Sequence, residues 1–542
     1  MTDTASIDIF PEDQIAQVSP LIYSGFIEHL GRCIYGGILP TKPTDFPHSS
    51  RSPCPQDQFV PTPSSLVSED GFRTDVISCI RDELKVPLMR WPGGNYVSTY
   101  HWEDGIGPLA DRKKRPELAW GGQEPNIFGT DEFIQWCRVA KCEPYLCFNM
   151  GTGTLDEALR WVEYCNGTGD THYANLRRKN TGKDEPYNVK YWGLGNEMWG
   201  PWQVGQMTSK EYAAVSRQWA HALRLVDPSL ILVSCGETGL DEWDNVVLGS
   251  TIDKVQLHSI HLYTSFGPRD RSSKEAEYHR AVYGPDAAEH SIEVAKHLIE
   301  KARLEHVTKT SNVPSIVQAE NIVPNVKIAF DEWGVWDESV GTPQNGLEQP
   351  YDLKDALAFG AWLNVFIRQS SAVTLACLAQ SVNVIAPLGA NSTGVLRHPT
   401  YHVLRLFSNY MRDGSAVRVQ ISGTAPRFTG ETLPTWISSV RGPSSVLDAS
   451  AVLVGSSLRL AIVNRSLDEA FDVPLRLAFK AVADKPLTVH EVWHPDAFAR
   501  NGWGGDGELG PDNVVTKTWT EKWTGRYKFK AHSFTLLVFD LA

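Results

Sequence analysis

The sequence YWGLGNE at residues 191–197 predicts a short buried strand that ends on Glu197, with glycines that let the chain turn. KIAFDE at residues 327–332 is a second apolar segment of this kind, and it ends on Glu332. Strands that are buried on both faces have such apolar runs. In a (β/α)8 barrel the catalytic groups lie at the carboxyl ends of the strands. Because the two glutamates are far apart in the chain, the fold must bring them together.

Strand-like and helix-like segments alternate over most of the chain, which predicts a (β/α)8 TIM barrel. Eight candidate strands lie at residues 23–30, 88–91, 144–150, 190–194, 230–234, 255–263, 327–330 and 373–379. Five candidate helices, with apolar residues three and four apart, lie at residues 72–84, 155–165, 210–225, 291–304 and 353–367. Three long connections without periodicity are expected to surround the mouth of the barrel, at residues 36–68, 265–288 and 337–350.

After about residue 413 the pattern changes to an alternation of apolar and polar residues. The alternating runs lie at residues 416–421, 458–463, 487–492 and 533–539. Such runs, separated by turn residues, predict an antiparallel β-sandwich. Residues 7–15 are partly strand-like and are expected to join it. The predicted domains are a catalytic barrel, residues 25–410, and a β-sandwich made of residues 1–24 together with residues 411–542.

Composition excludes several classes of partner. The net charge of −13 does not favour nucleic acid and suits an uncharged ligand better than a polyanion. The chain has no apolar run long enough to span a membrane. Its N-terminus lacks the features of a signal peptide, which predicts a cytoplasmic protein, or a secreted one if a leader has been removed. The nine cysteines are scattered and are expected to be buried free thiols.

Glu197 and Glu332 are the candidate catalytic pair. Two carboxylates on different strand ends can face one another across a sugar, and such pairs carry out glycoside hydrolysis. Asn196 is unfavourable in a strand interior, so its amide is a candidate ligand of a sugar hydroxyl. The residues alone leave two alternatives, which are a polar turn at residues 196–197 and a solvated acidic pair at residues 331–332.

The first two strands also end on polar residues. Glu28 closes the first strand, and a buried glutamate needs hydrogen bonds or a charged partner. It is a candidate to bind two sugar hydroxyls, and a salt bridge with Arg32 or Arg90 is the alternative. Arg90 and Asn95 flank a Pro-Gly-Gly turn after the second strand. A purely structural turn explains the glycines but not these two polar residues at the barrel mouth.

His258 and His261 have a spacing that suggests a metal site, but residues three apart on a strand face opposite sides. The sequence shows no cluster of His, Asp and Glu partners that supports a metal, and it lacks a phosphate-binding glycine loop, so no cofactor and no metal are expected. His261 and Tyr263 are instead candidates to orient the nucleophile. Gln380 follows the eighth strand and is a candidate to hydrogen-bond a substrate hydroxyl, with a plain polar strand end as the alternative.

Taken in order, these segments resemble the family-51 α-L-arabinofuranosidases. The matching segments are EHLG at 28–31, RWPGGN at 90–95, GLGNE at 193–197, HLY at 261–263, FDEWGVW at 330–336 and AQSVNVIAP at 379–387. They extend from the first predicted strand to the last, so the resemblance covers the whole barrel. A sandwich domain is also part of the family architecture.

The resemblance implies a role for each matching residue. Glu197 matches the general acid/base, and Glu332 matches the nucleophile. The positions that match residues binding arabinofuranose hydroxyls are Glu28, Asn95, Asn196 and Gln380. The remaining matches are His261 and Tyr263 around the nucleophile, Trp336 as a stacking wall, and Arg90 as a support for the nucleophile and Asn95.

The activity that the resemblance implies is a retaining, exo-acting α-L-arabinofuranosidase. It would remove terminal arabinofuranosyl residues from arabinoxylan, arabinan or derived oligosaccharides. A homo-oligomer is also implied, and the long segment 36–68 departs from the family and leaves specificity beyond arabinose open. One alternative is an endo-acting β-glucanase or xylanase, which needs an open groove. The other alternative is a non-catalytic carbohydrate-binding protein on the same barrel.

Overall fold

Eight parallel strands close into a barrel in the computed structural model, which describes residues 5–40, 61–266, 273–310, 323–423, 426–429, 442–483, 485–504 and 509–542. In chain order the strands are Ser24–Phe26, Leu88–Trp91, Glu143–Cys147, Tyr191–Leu194, Ile231–Ser234, Leu257–Thr264, Lys327–Val335 and Val373–Leu378. Each overlaps one predicted strand, so the predicted fold class is confirmed. The seventh strand runs beyond the predicted end at residue 330 and includes Glu332.

Side chains from the strands fill the interior of the barrel. The filling residues include Phe26, Leu88, Tyr145, Val233, Leu257, Ala329, Leu375 and Cys377. A filled interior is a packed core and not a channel. Chemistry is therefore confined to the mouth, where the carboxyl ends of the strands and their loops meet.

Helices surround the barrel. Those in the described residues are Thr74–Ser78, Thr130–Ala140, Leu155–Asn166, His172–Thr181, Ser209–Val226, Glu242–Thr251, Lys274–Tyr283, Pro285–Thr310, Leu353–Arg368 and Pro399–Tyr410. All five predicted helices are present, and the first continues as a π-helical turn, Cys79–Glu83. Capping fixes some of the starts, as where Thr208 and Glu211 form a capping box at the N-terminus of Ser209–Val226.

The prediction of a loop over residues 265–288 is wrong, because helix Lys274–Tyr283 and the start of helix Pro285–Thr310 lie there. Ser273 caps the first of these helices by accepting a hydrogen bond of 3.1 Å from the Ala276 backbone. The segment is mostly polar, and its few apolar residues are buried by packing against helix Leu353–Arg368. Tertiary packing stabilises it, since its own hydrophobic pattern is weak.

Of the other two predicted loops, the structure describes one completely and the other in part. Residues 337–350 are irregular apart from the 3-10 turn Pro343–Asn345, as predicted. Residues 41–60 of the predicted loop 36–68 lie outside the described residues.

The remaining 3-10 helices are Pro20–Tyr23, Ser64–Leu66, Asn95–Thr99, Trp102–Gly105 and Leu109–Asp111. Two-stranded ribbons join Arg115–Pro116 to Gln123–Glu124, Leu388–Asn391 to Gly394–Arg397, and Arg427–Phe428 to Ser444–Ser445.

A nine-stranded sheet forms the rest of the molecule. Its strands, in spatial order, are Thr516–Glu521, Leu487–Val492, Ser533–Asp540, Ser457–Asn464, Leu447–Val454, Ser415–Ser422, Ser6–Gln17, Phe471–Leu477 and Arg526–Phe529. Neighbours are antiparallel except Ser6–Gln17 and Phe471–Leu477, which are parallel. Strands from both halves of the sheet bury side chains in one apolar cluster, as in a sandwich. The division at residues 25–410 stays our proposed domain boundary.

Helix Leu353–Arg368 joins the barrel to the sheet. Almost all of its residues are buried, because one side packs on the barrel and the other on the sheet. Asn364 donates to Asp448 Oδ2 at 2.7 Å, and Arg368 Nη1 donates to Asp448 Oδ1 at 2.8 Å. These buried bonds fix the sheet against the barrel.

Two further predictions concern the described residues only. The eight cysteines that they contain are buried and unpaired, as expected, and Cys54 lies outside them. Within the same ranges, no helix has both the length and the apolar composition that crossing a membrane requires.

Candidate active site

A pocket of about 410 Å³ opens at the carboxyl ends of the barrel strands. Eight of the ten predicted site residues line it, namely Glu28, Asn95, Glu197, His261, Tyr263, Glu332, Trp336 and Gln380. The other two, Arg90 and Asn196, are buried behind it and hydrogen-bond to each other. The structure therefore brings all ten residues to one place.

A β-bulge in the seventh strand aims Glu332 at the pocket. Ala329 pairs with Ser259, and Glu332 pairs with His261. Between these two pairs the seventh strand therefore moves on by three residues while its neighbour moves on by two. Phe330 packs outward against the surrounding helices. Plain alternation would turn Glu332 outward as well. The extra residue of the bulge redirects the side chain, so Glu332 reaches the mouth of the barrel.

Two donors hold the carboxylate of Glu332. Arg90 Nη1 donates to Oε1 at 2.7 Å, and the Tyr263 hydroxyl donates to Oε2 at 2.8 Å. Glu332 is only 5% exposed, so water competes little for these bonds. The result is a negative charge with a fixed direction on the wall of the pocket.

Glu197 follows a sharp turn at the end of the fourth strand. Gly195 has φ +78° and Glu197 has φ +44°, a left-handed conformation that non-glycine residues seldom adopt. Such strained residues concentrate at functional sites. The Glu197 carboxylate is held by two partners, with His261 Nδ1 3.0 Å from Oε1 and Trp202 Nε1 donating to Oε2 at 3.1 Å.

The two candidate catalytic carboxylates are close to one another. One carboxylate oxygen of Glu197 lies within 4.8 Å of one of Glu332. Retaining glycosidases separate their carboxyl groups by about 5–5.5 Å, and inverting ones by about 6.5–9.5 Å. The distance between these oxygens agrees better with the shorter of the two spacings than with the longer one.

Asp331 and His261 form a buried network beneath the pair. Asp331 accepts hydrogen bonds from Tyr145, at 2.7 Å, and from Ser259, and it lies 3.1 Å from His261 Nε2. Burial alone would raise the pKa of Asp331, but Arg90 and His261 reverse this and hold the pKa well below its usual value. Asp331 therefore supplies a permanent negative charge behind His261.

Burial likewise opposes a charge on His261, but the carboxylates around it outweigh burial and raise its pKa to about 10. His261 is therefore a cation that donates from both ring nitrogens. One nitrogen of His261, one oxygen of Glu197 and one of Glu332 lie within 4.8 Å of each other, as the ligands of a metal ion would. A metal ion there would have to displace a proton from the imidazole, because binding needs a free nitrogen lone pair.

Arg90 also orients Asn196. Arg90 Nη2 donates to Asn196 Oδ1 at 2.6 Å, which leaves the amide nitrogen as the free end. That nitrogen is buried and has no partner among the described residues. A Cβ atom on Gly94 would stand 3.0 Å from Glu332 Oε1 and 3.6 Å from both Asn196 Nδ2 and Glu28 Oε2. The missing side chain leaves the space where these three polar groups converge.

Glu28 lies at the inner end of this space. Its Oε1 accepts from the Tyr96 backbone at 3.1 Å and from Trp120 Nε1 at 2.9 Å, and its Oε2 accepts from Gln380 Nε2 at 2.9 Å. Burial raises the pKa of Glu28 to about 7, although the bonds from Trp120 and Tyr96 lower it. The alternative salt bridge with Arg32 is not formed, since Arg32 pairs with Glu348 at 2.6 Å.

The remaining predicted residues complete the wall. Asn95 is half-buried and lines the pocket beside Gly94. Trp336 packs edge-on against Tyr263, with ring centroids 5.6 Å apart, and its Nε1 donates to the Gly341 carbonyl. Phe266 lies 4.8 Å from the Trp336 ring and is 49% exposed at the rim. Flat aromatic surfaces of this kind suit the C–H faces of sugars.

Three residues that contact this site, Asp331, Trp120 and Trp202, are not among the predicted site residues. Asp331 is predicted only as the acidic neighbour of Glu332. Its place on a buried strand is nevertheless a signal, because a buried carboxylate needs hydrogen bonds or a charged partner. Trp120 and Trp202 lie in irregular segments, and their bonds to Glu28 and Glu197 are tertiary contacts that no local pattern predicts. Trp202 is 54% exposed and lines the pocket.

Known proteins resemble this chain over almost its full length. Residues 81–280 match the Alpha-L-arabinofuranosidase 1 domain, and residues 331–533 match the Alpha-L-arabinofuranosidase C-terminal domain. Alpha-L-arabinofuranosidase C of Emericella nidulans is 45% identical over 551 residues, which cover 99% of this chain and 97% of that protein. An intracellular exo-alpha-(1->5)-L-arabinofuranosidase of Acetivibrio thermocellus is 32% identical and covers 94% of each chain.

A solved structure agrees with these relatives. The thermostable GH51 alpha-L-arabinofuranosidase from Thermotoga petrophila superposes with a TM-score of 0.78 at 35% identity. The superposition covers 99% of this chain and 100% of that one. Barrel, sheet and matching domains all lead to the same assignment. This chain is therefore a glycoside hydrolase that belongs to family 51, the α-L-arabinofuranosidases.

Proposed function

We propose that the protein is a retaining, exo-acting enzyme that removes terminal arabinofuranosyl residues from arabinoxylan, arabinan or derived oligosaccharides. Glu332 is the nucleophile and Glu197 is the general acid/base. The observation that carries the proposal is the separation of less than 4.8 Å between oxygens of the two carboxylates. That spacing fits a double displacement and is too short for an inverting mechanism.

In the first step Glu332 attacks the anomeric carbon, and the bond from that carbon to the leaving oxygen breaks. Arg90 and Tyr263 hold the two oxygens of Glu332, so attack occurs from a fixed direction. Glu197 gives its proton to the leaving oxygen. The products of this step are a covalent arabinosyl ester on Glu332 and the released alcohol.

In the second step water hydrolyses the ester. Glu197, now ionised, takes a proton from the water as its oxygen attacks the anomeric carbon. His261 lies 3.0 Å from Glu197 Oε1, and Trp202 donates to Oε2, so the carboxylate keeps its position between the steps. Two inversions at the same carbon give net retention.

The substrate sugar occupies the space beside Gly94. Glu28, Asn196 and Gln380 are the proposed ligands of its hydroxyls, with Asn95 beside them and Trp336 as the apolar wall. Asn196 Nδ2 and Gln380 Oε1 are buried without partners among the described residues, and a bound hydroxyl would satisfy both. A pocket that ends at Glu28 suits a terminal sugar, and the exo activity in the name of the Acetivibrio thermocellus relative supports this.

The test is release of the aryl group from an aryl α-L-arabinofuranoside. Wild type is expected to release it, and Glu332→Gln is expected to lose at least about 10⁴-fold in kcat. Proton NMR at early times is expected to show α-arabinose as the first product. Glu289→Gln is the matched control, because the Glu289 carboxylate is 15% exposed, pairs with Arg368 and lies outside the pocket. Near-normal turnover by Glu332→Gln would overturn the assignment.

A cytoplasmic location and a homo-oligomer belong to the same proposal. The Acetivibrio thermocellus relative is named as intracellular, which supports the location. Activity in the soluble fraction of lysed source cells, and not in their medium, is the expected result. Sedimentation velocity of the purified chain measures the oligomeric state directly.

A further inference from the structure

A second cavity, of about 470 Å³, lies beside the active-site pocket. Its walls come from loops that follow the first, seventh and eighth barrel strands and from the segment at residues 500–503 of the sheet domain. The two cavities share their dividing walls. Leu347 lines the pocket while the next residue, Glu348, lines the second cavity, and likewise Ile385 lines the pocket while Asn383 lines the cavity.

Trp503 and His398 both line this cavity, and both lie against Gly389. A Cβ atom on Gly389 would stand 3.3 Å from Trp503 Cζ2 and 3.5 Å from His398 Nε2, so the glycine lets both rings pack close to the backbone. We call the part of the cavity that Trp503, His398 and Arg500 line the slot. Trp503 remains 38% exposed. His398 is only 8% exposed, and its Nδ1 has no partner among the described residues.

The polar groups that line the slot suit an uncharged ligand with hydroxyl groups. Burial lowers the pKa of His398 to about 4, so the ring is neutral and offers one donor and one acceptor nitrogen. Arg32 does not supply free positive charge, since Glu348 accepts from its Nε and Nη2 at 2.6 and 2.8 Å. Arg500 adds exposed donors at the edge of the cavity.

The walls of the slot are held rigidly. Asn501 donates to the carbonyls of Arg397 and Val514 at 2.8 and 2.9 Å and accepts from the Val514 backbone at 2.7 Å. Asn383 donates to the Arg32 carbonyl and accepts from the Ala390 backbone. A preformed cavity with one aromatic face and a few fixed polar groups is the usual form of a small-ligand site.

We propose that this cavity is a distal saccharide subsite, in which Trp503, His398 and Arg500 hold a neutral sugar of the same oligosaccharide whose terminal arabinose lies in the active-site pocket. The inference rests on the proposed function. A sugar ring stacks its C–H face on Trp503, and its hydroxyls bond to the imidazole and the guanidinium. Small substrates do not reach the subsite, so it selects for longer chains.

The test compares a small and a long substrate in the Trp503→Ala enzyme. With α-(1→5)-arabinohexaose, KM is expected to rise at least about fivefold, since a truncated aromatic anchor commonly costs a factor of that size. With an aryl α-L-arabinofuranoside, kcat and KM are expected to stay within about twofold of wild type. Phe479→Ala is the control, because Phe479 is 96% exposed and lines neither cavity.

A second variant disturbs the slot without deleting a wall. Gly389→Val is expected to give the same selective rise in KM for the hexaose, because its Cβ would stand 3.3 Å from Trp503 Cζ2 and its branches would push that ring out of position. In calorimetry, the inactive Glu332→Gln protein is expected to bind the hexaose at least about fivefold more weakly when Trp503→Ala is added. Its affinity for free L-arabinose is expected not to change.

The outcomes separate this proposal from the proposed function. If both variants keep the wild-type KM for the hexaose, the subsite is rejected while the furanosidase assignment stands. Equal losses on the hexaose and the aryl substrate would also reject it, since they indicate a disturbed active site. If the wild type does not release the aryl group at all, the proposed function itself fails.

Discussion

Arg90 and Glu332 form a buried ion pair, with Nη1 2.7 Å from Oε1 and side chains that are 1% and 7% exposed. The same guanidinium donates from Nη2 to Asn196 and lies 3.6 Å from Asp331. One planar group therefore positions the proposed nucleophile and a proposed substrate ligand together. Lysine has the same charge but lacks this fork of donors, so the geometry depends on arginine.

Arg90→Lys is expected to lower kcat on an aryl α-L-arabinofuranoside at least about 100-fold, because a small displacement of the attacking carboxylate costs this much. Steady-state kinetics measure the loss, and circular dichroism checks that the barrel is folded. Arg368→Lys is the matched control, since Arg368 also pairs with two carboxylates, Glu289 and Asp448, that lie outside the pocket. It is expected to lower the melting temperature with little change in kcat. Similar kcat values for both variants would contradict the positioning role.

Gly94→Ala places a methyl group where the substrate sugar is proposed to lie. The new carbon would stand 3.0 Å from Glu332 Oε1, so a ring could not approach the nucleophile. We expect kcat/KM to fall at least about 100-fold, while the thermal midpoint changes little. Gly249→Ala is the control, because Gly249 is helical, has open space around its Cα and should gain about 0.5–1 kcal/mol of stability. Full activity of Gly94→Ala would place the sugar elsewhere.

Glu197→Ala removes the proposed proton donor but not the nucleophile. Substrates with poor leaving groups are expected to lose about 10²–10⁴-fold in kcat/KM, whereas an aryl group that leaves without a proton is expected to lose little. Hydrolysis of the covalent ester should become slow with either substrate. Added azide is expected to restore turnover and to give α-arabinosyl azide, because a small anion can enter the vacated space. Equal losses on good and poor leaving groups would be inconsistent with an acid/base role.

The sequence predicts the strand ends of the site better than its loops. Glu28, Asn95, Glu197, Glu332 and Gln380 each follow a short apolar run, and a parallel barrel collects the ends of such runs at one mouth. Their convergence therefore follows from topology alone. The bulge that redirects Glu332 has no sequence signal, because it depends on how residues 329–332 pair with the neighbouring strand.

Contacts made by irregular segments were beyond prediction. Trp120 reaches Glu28 from a loop between the second strand and helix Thr130–Ala140, and nothing in its local pattern sets that direction. Helix Lys274–Tyr283 was missed for a related reason, since neighbouring helices bury its few apolar residues. In both cases tertiary packing decides a structure that local preferences leave open.

Glu28 provides a prediction about pH and stability. Burial raises the pKa of its carboxyl from 4.5 to about 7 in the folded protein, so the folded state holds this proton more tightly than the unfolded chain does. The folded state therefore gains free energy from binding this proton, and this contribution to stability is fully present below pH 4.5. It is lost as the pH rises through 7, and the loss is on the order of 3 kcal/mol.

Glu28→Gln does not titrate and serves as the reference for this effect. The thermal midpoint of the wild type minus that of Glu28→Gln is expected to fall between pH 4.5 and 7 and to be constant above pH 7.5. Scanning calorimetry at four pH values measures this difference, in which other titrating groups cancel. Glu83→Gln is the control and is expected to give no fall in that window, because the ion pair with Arg397 outweighs burial and lowers the pKa of Glu83 below its ordinary value of 4.5. A constant difference for Glu28→Gln would show that the carboxyl is already ionised near pH 4.5, held so by its bonds to Trp120, Tyr96 and Gln380.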